Sequence, residues 1–348
     1  MKRFVLTVFF FVTVVFNVSA QKLLPPLEGV YHGAFPDMSP TEDEVTIQRI
    51  NEFTDLTGKK PVWVYFSDNW FDGIHFPWDE TEAIREAGSI PYIRMMPRKD
   101  WTSDQPSPYY KMQDIIDGKY DLDIHQYARD VKGFGTPVLI EFAPEMNGHW
   151  FPWSGSFQGE LETQYGDPNL PDGPERYIEA YRHIVEIFRE ERVTNATWFF
   201  HVNYNSVPVE DWSRMAQYYP GDGYVDWIGV SVYGPQEPGD QWSNFNLLMD
   251  DVYSELAEVS DNKPLAILEF GAIEDSKDVT LKATWIKSVL NSITSGLYPR
   301  IKAISYWHSS WENEDGSISN MRLDSSPQSL EVYRGLISNE YFITEPLF

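Results

Sequence analysis

Residues 138–153 read VLIEFAPEMNGHWFPW. The first half is an apolar run of the kind a buried strand uses, and the second half is a turn crowded with polar and aromatic groups. At the strand period of two, Leu139, Glu141, Ala143 and Glu145 share one face, and Ile140, Phe142 and Pro144 share the other. Small and polar residues on one face and bulky apolar residues on the other fit a barrel interior and a helix-covered exterior.

Runs of this kind recur along the chain, at 27–34, 61–67, 90–96, 137–144, 195–203, 226–233, 264–270 and 301–307. Amphipathic stretches lie between them. Tyr177, Tyr181, Ile184 and Phe188 fall at helical spacing, as do Leu281, Trp285, Val289 and Ile293. Eight strand-then-helix units predict an α/β fold, a (β/α)8 TIM barrel forming a single domain over 21–348. A doubly wound open sheet is the alternative, but no GxGxxG follows the first strand. The alternation continues on later strands: Gly229, Ser231 and Tyr233 share a face, as do Leu265, Ile267 and Glu269, and Ala303, Ser305 and Trp307.

Glu145, Asn203, Tyr233, Glu269 and Trp307 then converge at the C-terminal strand ends, the face on which barrels carry their chemistry. The connections 97–121, with Trp101, Tyr109 and Tyr110, and 149–175, with Trp150, Phe151 and Trp153, are long and aromatic. Loops of that length in a compact domain are usually functional.

Composition narrows the classes. Residues 1–20 pair Lys2 and Arg3 with an apolar run over 4–16 and end Val18-Ser19-Ala20, which predicts a secretory signal peptide with Gln21 as the new N-terminus. The expected location is periplasmic or extracellular, with no membrane anchor, because the run is too short to span a bilayer. Cysteine is absent, so disulfides, thiolate catalysis and Cys-based zinc sites are excluded. Formal charge is −26, and losing two cations with the signal takes it to 25 − 53 = −28. Such a surface repels phosphate backbones, so nucleic acid is not an expected partner. The chain holds 13 Trp and 20 Tyr, flat side chains suited to the apolar C–H faces of sugar rings. The expected partner is a polysaccharide or oligosaccharide, and the expected state is a monomer without cofactor or metal.

Two strand-end glutamates on opposite sides of a barrel mouth suit glycoside hydrolysis, which needs two carboxyl groups flanking the scissile bond. A glutamate ending an apolar strand, as Glu269 does, is uncommon because an unpaired buried charge is costly. By spacing alone each glutamate is equally a catalytic group or half of a structural ion pair; their joint occurrence favours catalysis.

The segment Phe142-Ala-Pro-Glu145-Met-Asn-Gly148-His-Trp150-Phe-Pro-Trp153 resembles the acid/base motif of glycoside hydrolase family 26, a group of β-mannanases, mixed-linkage glucanases and β-1,3-xylanases on a (β/α)8 barrel. Ile267-Leu268-Glu269-Phe270-Gly271 is similar to the family's nucleophile strand, Tyr224 to Gly234 to its sixth strand, and Ile304 to Trp307 to its eighth. The resemblance implies Glu145 as acid/base, Glu269 as nucleophile and Tyr233 as the residue that orients it. Two departures stand out. Typical mannanases of the family carry a histidine before the acid/base, here Pro144, and often an aspartate two before the strand-six tyrosine, here Ser231. Both positions serve substrate in the mannanases, so a glucan or xylan gains ground here.

Further candidates have two readings each. Arg94 is an interior partner of Glu141 or a neighbour of the nucleophile. Trp150, Trp153 and Trp70 stack on sugars or lie buried. Trp307 is read as a sugar platform. Asn203, His32 and His308 bond sugar hydroxyls or serve the structure, and Asn147 shapes the turn after Glu145 or meets the sugar. Glu312 to Gly316 is read as a solvated turn rather than a calcium loop. The expected activity is a secreted retaining endo-β-glycanase acting by double displacement on a plant or algal β-linked polysaccharide. β-Mannan is the family-typical substrate, and mixed-linkage glucan or β-1,3-xylan the alternatives. A non-catalytic carbohydrate-binding barrel is the rival of another class.

Overall fold

The computed structural model describes residues 22–313 and 315–348; the signal peptide expected over 1–20 lies outside them. Eight parallel strands form the barrel: β1 (Val30–Phe35), β2 (Trp63–Asn69), β3 (Ile90–Met96), β4 (Val138–Phe142), β5 (Ala196–Asn203), β6 (Trp227–Tyr233), β7 (Leu265–Gly271) and β8 (Ile301–Trp307). Neighbours in sequence are neighbours in space, and β1 closes the ring on β8 from Tyr31↔Ala303 to Phe35↔Trp307. The first strand starts three residues later than its apolar run because Gly29 turns the chain at φ 75°.

Helices α1 (Ile47–Thr57), α2 (Trp78–Glu86), α3 (Met112–Ile116), α4 (Asp121–Phe134), α5 (Asp172–Glu190), α6 (Phe245–Val259), α7 (Leu281–Thr294) and α8 (Pro327–Ile337) cover the strands. On α5, Tyr177, Tyr181, Ile184 and Phe188 are all buried, as their spacing requires. Tyr177 and Tyr181 also donate to strand carbonyls, Phe142 O at 3.1 Å and Phe199 O at 3.0 Å, tying the helix to the barrel. A hairpin of β9 (Ser310–Glu312) and β10 (Ile318–Asn320) follows β8, and β11 (Phe342–Ile343) pairs with β1. No helix among the described residues is long and apolar enough to cross a membrane.

Two features depart from the sequence reading. Between β5 and β6 only short 3-10 turns form, at Asp211–Ser213 and Met215–Tyr218, where a barrel helix was expected. Pro208, Pro220, Gly221 and Gly223 break up this stretch and deny it a continuous helix. On β7 the alternation is interrupted. Ala266, not Ile267, pairs with Gly229, and Glu269 pairs with Ser231, so the register shifts by one residue between them. The extra residue sends Leu268 against Gly229, where a Cβ would meet Leu268 Cδ1 at 2.0 Å. Glycine at 229 is what lets the bulge close. Bulges beside active sites re-aim side chains, and this one turns Glu269 onto the face of Ser231.

The interior is filled in tiers. At the bottom Tyr31, Trp63, Tyr92, Phe199 and Trp227 pack ring against ring, with Phe199 and Trp227 stacked at 5.6 Å and Trp63 edge-on to Tyr31 at 6.3 Å. The next tier is charged: β3 and β4 pair Arg94 with Glu141, and β5 adds His201. This tier forms the floor of the mouth.

Candidate active site

Beyond β4 the chain makes a sharp turn in which Ala143 and Glu145 both take left-handed φ, 49° and 56°. Non-glycine residues adopt this region rarely and at a cost, so the surroundings must hold it. They do so with backbone bonds: Ala143 N to Met95 O, Glu145 N to His201 O and Gly148 N to Glu145 O, each 2.9 Å. Asn147 is fully buried and clamps the turn to the end of β5. Its Nδ2 donates to Asn203 O at 3.0 Å and Ser206 Oγ at 3.2 Å, and its Oδ1 accepts from Asn203 N at 2.8 Å. That is the turn-shaping reading of Asn147.

The turn presents the Glu145 carboxyl to the mouth with the residue 7% exposed, and Trp150 Nε1 donates to its Oε2 at 2.9 Å. Glu269 enters the same space from β7, 4% exposed. Tyr233 OH donates to Glu269 Oε2 at 2.5 Å, and Arg94 Nη2 lies 3.0 Å from Oε1 as an ion pair not aligned for a hydrogen bond. Burial pushes the Glu269 carboxyl up to about 7; Arg94 opposes this, the Glu145 charge adds to it, and His201 and the Tyr233 hydroxyl oppose it. Glu269 is therefore a buried acid whose ionisation depends on the cation beside it.

That cation is shared. Arg94 Nε donates to Glu141 Oε1 at 3.0 Å and Nη1 to Ser67 Oγ at 3.2 Å, with Glu42 Oε2 3.5 Å away. Glu141 also accepts from Tyr92 OH at 2.7 Å and pairs with His201 Nδ1 at 2.8 Å, while His201 Nε2 meets Ser231 Oγ at 2.8 Å. Burial works against the charge on Glu141, but His201, Arg94 and Tyr92 together hold its carboxyl below the usual range. Both readings of Arg94 thus apply: it is an interior partner of Glu141 and a neighbour of Glu269. Glu141, His201 and Glu269 bring ligand-type atoms within 4.8 Å of one another, yet a guanidinium already bridges the two carboxylates, so the cluster is balanced by the protein's own cation.

A cleft of about 530 Å³ opens over this floor. Glu145, Glu269, Tyr233, Trp150, Trp307, Asn203 and Arg94 all line it. Trp307 has one ring face covered by Phe35, stacked at 3.9 Å and nearly parallel. The Asn203 amide nitrogen is occupied by Asn205 O and Oδ1, at 2.9 and 2.6 Å.

Four candidate site residues lie elsewhere. Trp70 is fully buried beneath the cleft wall, edge-on to Tyr110 at 5.2 Å. Trp153 is 1% exposed; its Nε1 donates to Pro144 O at 2.7 Å and its ring stacks on Phe151 at 4.4 Å, so it braces the turn that carries Glu145. His32 points outward from β1 between helices, bonding Tyr333 OH at 2.9 Å and stacked near Phe53, and burial lowers its pKa to about 3. It is a neutral core histidine. His308 is likewise structural: its Nδ1 accepts from Leu323 N at 2.9 Å.

Other cleft residues escaped the sequence reading: Glu42, Met96, Arg98, Tyr204, Gln236 and Trp311. For two of them a signal existed. Residues 94, 96 and 98 continue one strand face past the end of β3. Glu42, Tyr204 and Gln236 arrive on loops whose course no local pattern announces, and Trp311 on the short hairpin strand β9.

Residues 104–298, more than half of the chain, match the family described as Glycosyl hydrolase family 26. The chain is similar to Endoglucanase H of Acetivibrio thermocellus, 31% identical over 341 residues, covering 97% of this chain and 34% of that protein. It is also similar to Mannan endo-1,4-beta-mannosidase A and B of Caldalkalibacillus mannanilyticus, 24% identical over 183 residues, covering 52% of this chain and 30% of that protein. The chain thus spans about a third of the length of these curated relatives. In fold it is similar to the catalytic domain of a GH26 endo-beta-1,4-mannanase from Bacillus sp. JAMB-750, with a TM-score of 0.64 at 17% identity, covering 90% of this chain and 87% of that one. By sequence match, barrel and paired strand-end glutamates alike, the chain belongs to glycosyl hydrolase family 26.

Proposed function

We propose that this chain is an exported, retaining endo-β-glycanase with Glu269 as nucleophile and Glu145 as acid/base. The observation that carries the reading is the pair itself: two buried glutamates from opposite strands open into one aromatic cleft, each held by a different partner. Glu269 attacks the anomeric carbon while Glu145 gives its proton to the leaving oxygen, and a glycosyl-enzyme forms. Glu145 then takes a proton from water, which displaces Glu269 and releases the sugar with its original configuration. Arg94 favours the charged form of Glu269, and Tyr233 fixes its orientation. Trp150 holds the Glu145 carboxyl in place. Export rests on residues 1–20 as read from their sequence.

For substrate we propose a β-glucan ahead of β-mannan. Ser231 is fully buried and bonded to His201, beneath the cleft, and Pro144 offers only a carbonyl, which Trp153 occupies. Neither position meets a sugar as the family's mannanases have it. The relative that covers nearly the whole chain is named an endoglucanase. The test is reducing-sugar release by the mature chain on mixed-linkage β-glucan, β-mannan, β-1,3-xylan and β-1,4-xylan. The expected result is release from mixed-linkage glucan at about tenfold or more the rate on mannan, roughly the discrimination a pocket built for one sugar gives. Mannan cleaved fastest would overturn the substrate assignment, and silence on every polymer would favour a carbohydrate-binding barrel.

A further inference from the structure

Arg98, just past the end of β3, is 6% exposed and lines the cleft. Its Nε donates to Asn69 Oδ1 at 2.6 Å. Among the described residues no carboxylate lies within 4.0 Å of it, although Glu42 and Asp100 stand near enough to favour its charge, and neither Nη1 nor Nη2 has an acceptor, while these two nitrogens are not sealed from solvent. Arg98 itself lines the open cleft, so a ligand bound there comes within reach of these two nitrogens. Three aromatic rings fix the guanidinium plane: Trp101 at 4.2 Å, Phe151 at 5.8 Å and Phe71 at 5.9 Å from the carbon at its centre. Burial lowers its pKa to about 10, which leaves it a cation at neutral pH.

The contrast with Arg94 is informative. Arg94 is equally buried but neutralised by Glu141, Glu269 and Glu42. A buried charge without a partner is expensive and is retained where a ligand supplies the partner. The rigid two-nitrogen edge of a guanidinium matches a carboxylate or a sulfate. We propose that the cleft accepts a glycan bearing an anionic substituent, a uronic-acid carboxylate or a sulfate half-ester, on the free edge of Arg98. This deepens the glycanase reading and rests on it for the identity of the ligand as a sugar. The surface charge of −28 after export repels a polyanion. The substrate is thus a largely neutral chain with sparse acidic decoration.

The test is binding rather than hydrolysis, so it stands apart from the catalytic assignment. Methyl β-glucuronide, methyl β-glucoside 6-sulfate and methyl β-glucoside are titrated into the mature chain at low salt and followed by ligand-observed NMR. The expected result is a dissociation constant about fivefold or more lower for an anionic glycoside than for the neutral one, the difference between a charge-assisted and a neutral hydrogen bond. In Arg98→Gln that ratio is expected to fall to about one, with Arg98→Lys between. Preference for the glucuronide alone or the sulfate alone names the source of the anion. Equal or undetectable binding of all three overturns the proposal, as does a preference that survives in Arg98→Gln. Should that variant not fold, the Arg98 Nε–H resonance of the unaltered protein decides: it shifts on adding the anionic glycoside, or the proposal fails.

Discussion

Glu269→Ala is expected to lower polysaccharide hydrolysis by about 10⁴-fold or more while the fold survives, since on the proposed mechanism it removes the nucleophile and leaves only binding and the remaining acid. The position is 4% exposed and lies on the cleft side of a bulged strand, so truncation opens space toward the mouth rather than in the packed exterior of β7. That space admits a small anion. Azide added to this variant with an activated aryl β-glycoside is expected to restore turnover and yield the α-glycosyl azide, because the anion attacks from the side the carboxylate occupied. In Glu145→Ala the same anion is expected to yield the β-glycosyl azide, since there it displaces Glu269 from the glycosyl-enzyme. Rescue with the opposite configurations would exchange the two roles.

The second large effect is expected at Arg94. Arg94→Met strands Glu141 and Glu269 as two buried carboxylates beside one histidine. Breaking a buried ion pair by removing one partner costs about 3–5 kcal/mol, which corresponds to a melting temperature lower by about 10 °C. Activity falls with a characteristic pH dependence. Arg94 favours the charged form of Glu269, which burial has already pushed up to about 7. Without Arg94 the carboxyl keeps its proton to higher pH, so the acid limb of kcat/KM moves upward. The loss in rate is therefore greatest at low pH, about 100-fold at pH 6, and shrinks as pH rises. Arg94→Lys restores charge but not the three-directional reach to Glu141, Ser67 and Glu269, and is expected to recover stability more than rate. Calorimetry and a pH–rate profile check both parts; an unmoved acid limb in a folded variant would remove Arg94 from the control of Glu269.

The barrel was legible because each strand is a short apolar run with a period-two inner face. That face carries Arg94, Glu141, His201, Ser231 and Trp307 at positions arithmetic can find. The same arithmetic placed Tyr233 and Glu269 at the mouth, whereas Glu145 reaches it from a turn beyond β4, where left-handed φ at Ala143 and Glu145 ends the alternation. It misplaced the inner face of β7, where a one-residue bulge moves Ile267 off the side of Glu269; nothing local in Leu265 to Phe270 marks the insertion. It also failed for aromatic residues on loops. Trp150 and Trp153 stand three apart in one segment, yet one reaches the Glu145 carboxylate and the other is sealed under the turn by a bond to Pro144. Which side a loop aromatic takes depends on what packs beneath it, and that is a tertiary fact. His32 illustrates the same limit from inside a strand, since its neighbours Tyr333 and Phe53 come from helices distant in sequence.

The central claim is that Glu269 forms a covalent bond to the sugar, and the anomeric configuration of the first product tests it most directly. A β-linked oligosaccharide that the enzyme cleaves is followed by proton NMR from the moment of mixing, before mutarotation mixes the anomers. Double displacement gives the β anomer first, with the α signal growing in later at the spontaneous rate. The α anomer appearing first would mean a single displacement by water, and Glu269 would be a base rather than a nucleophile.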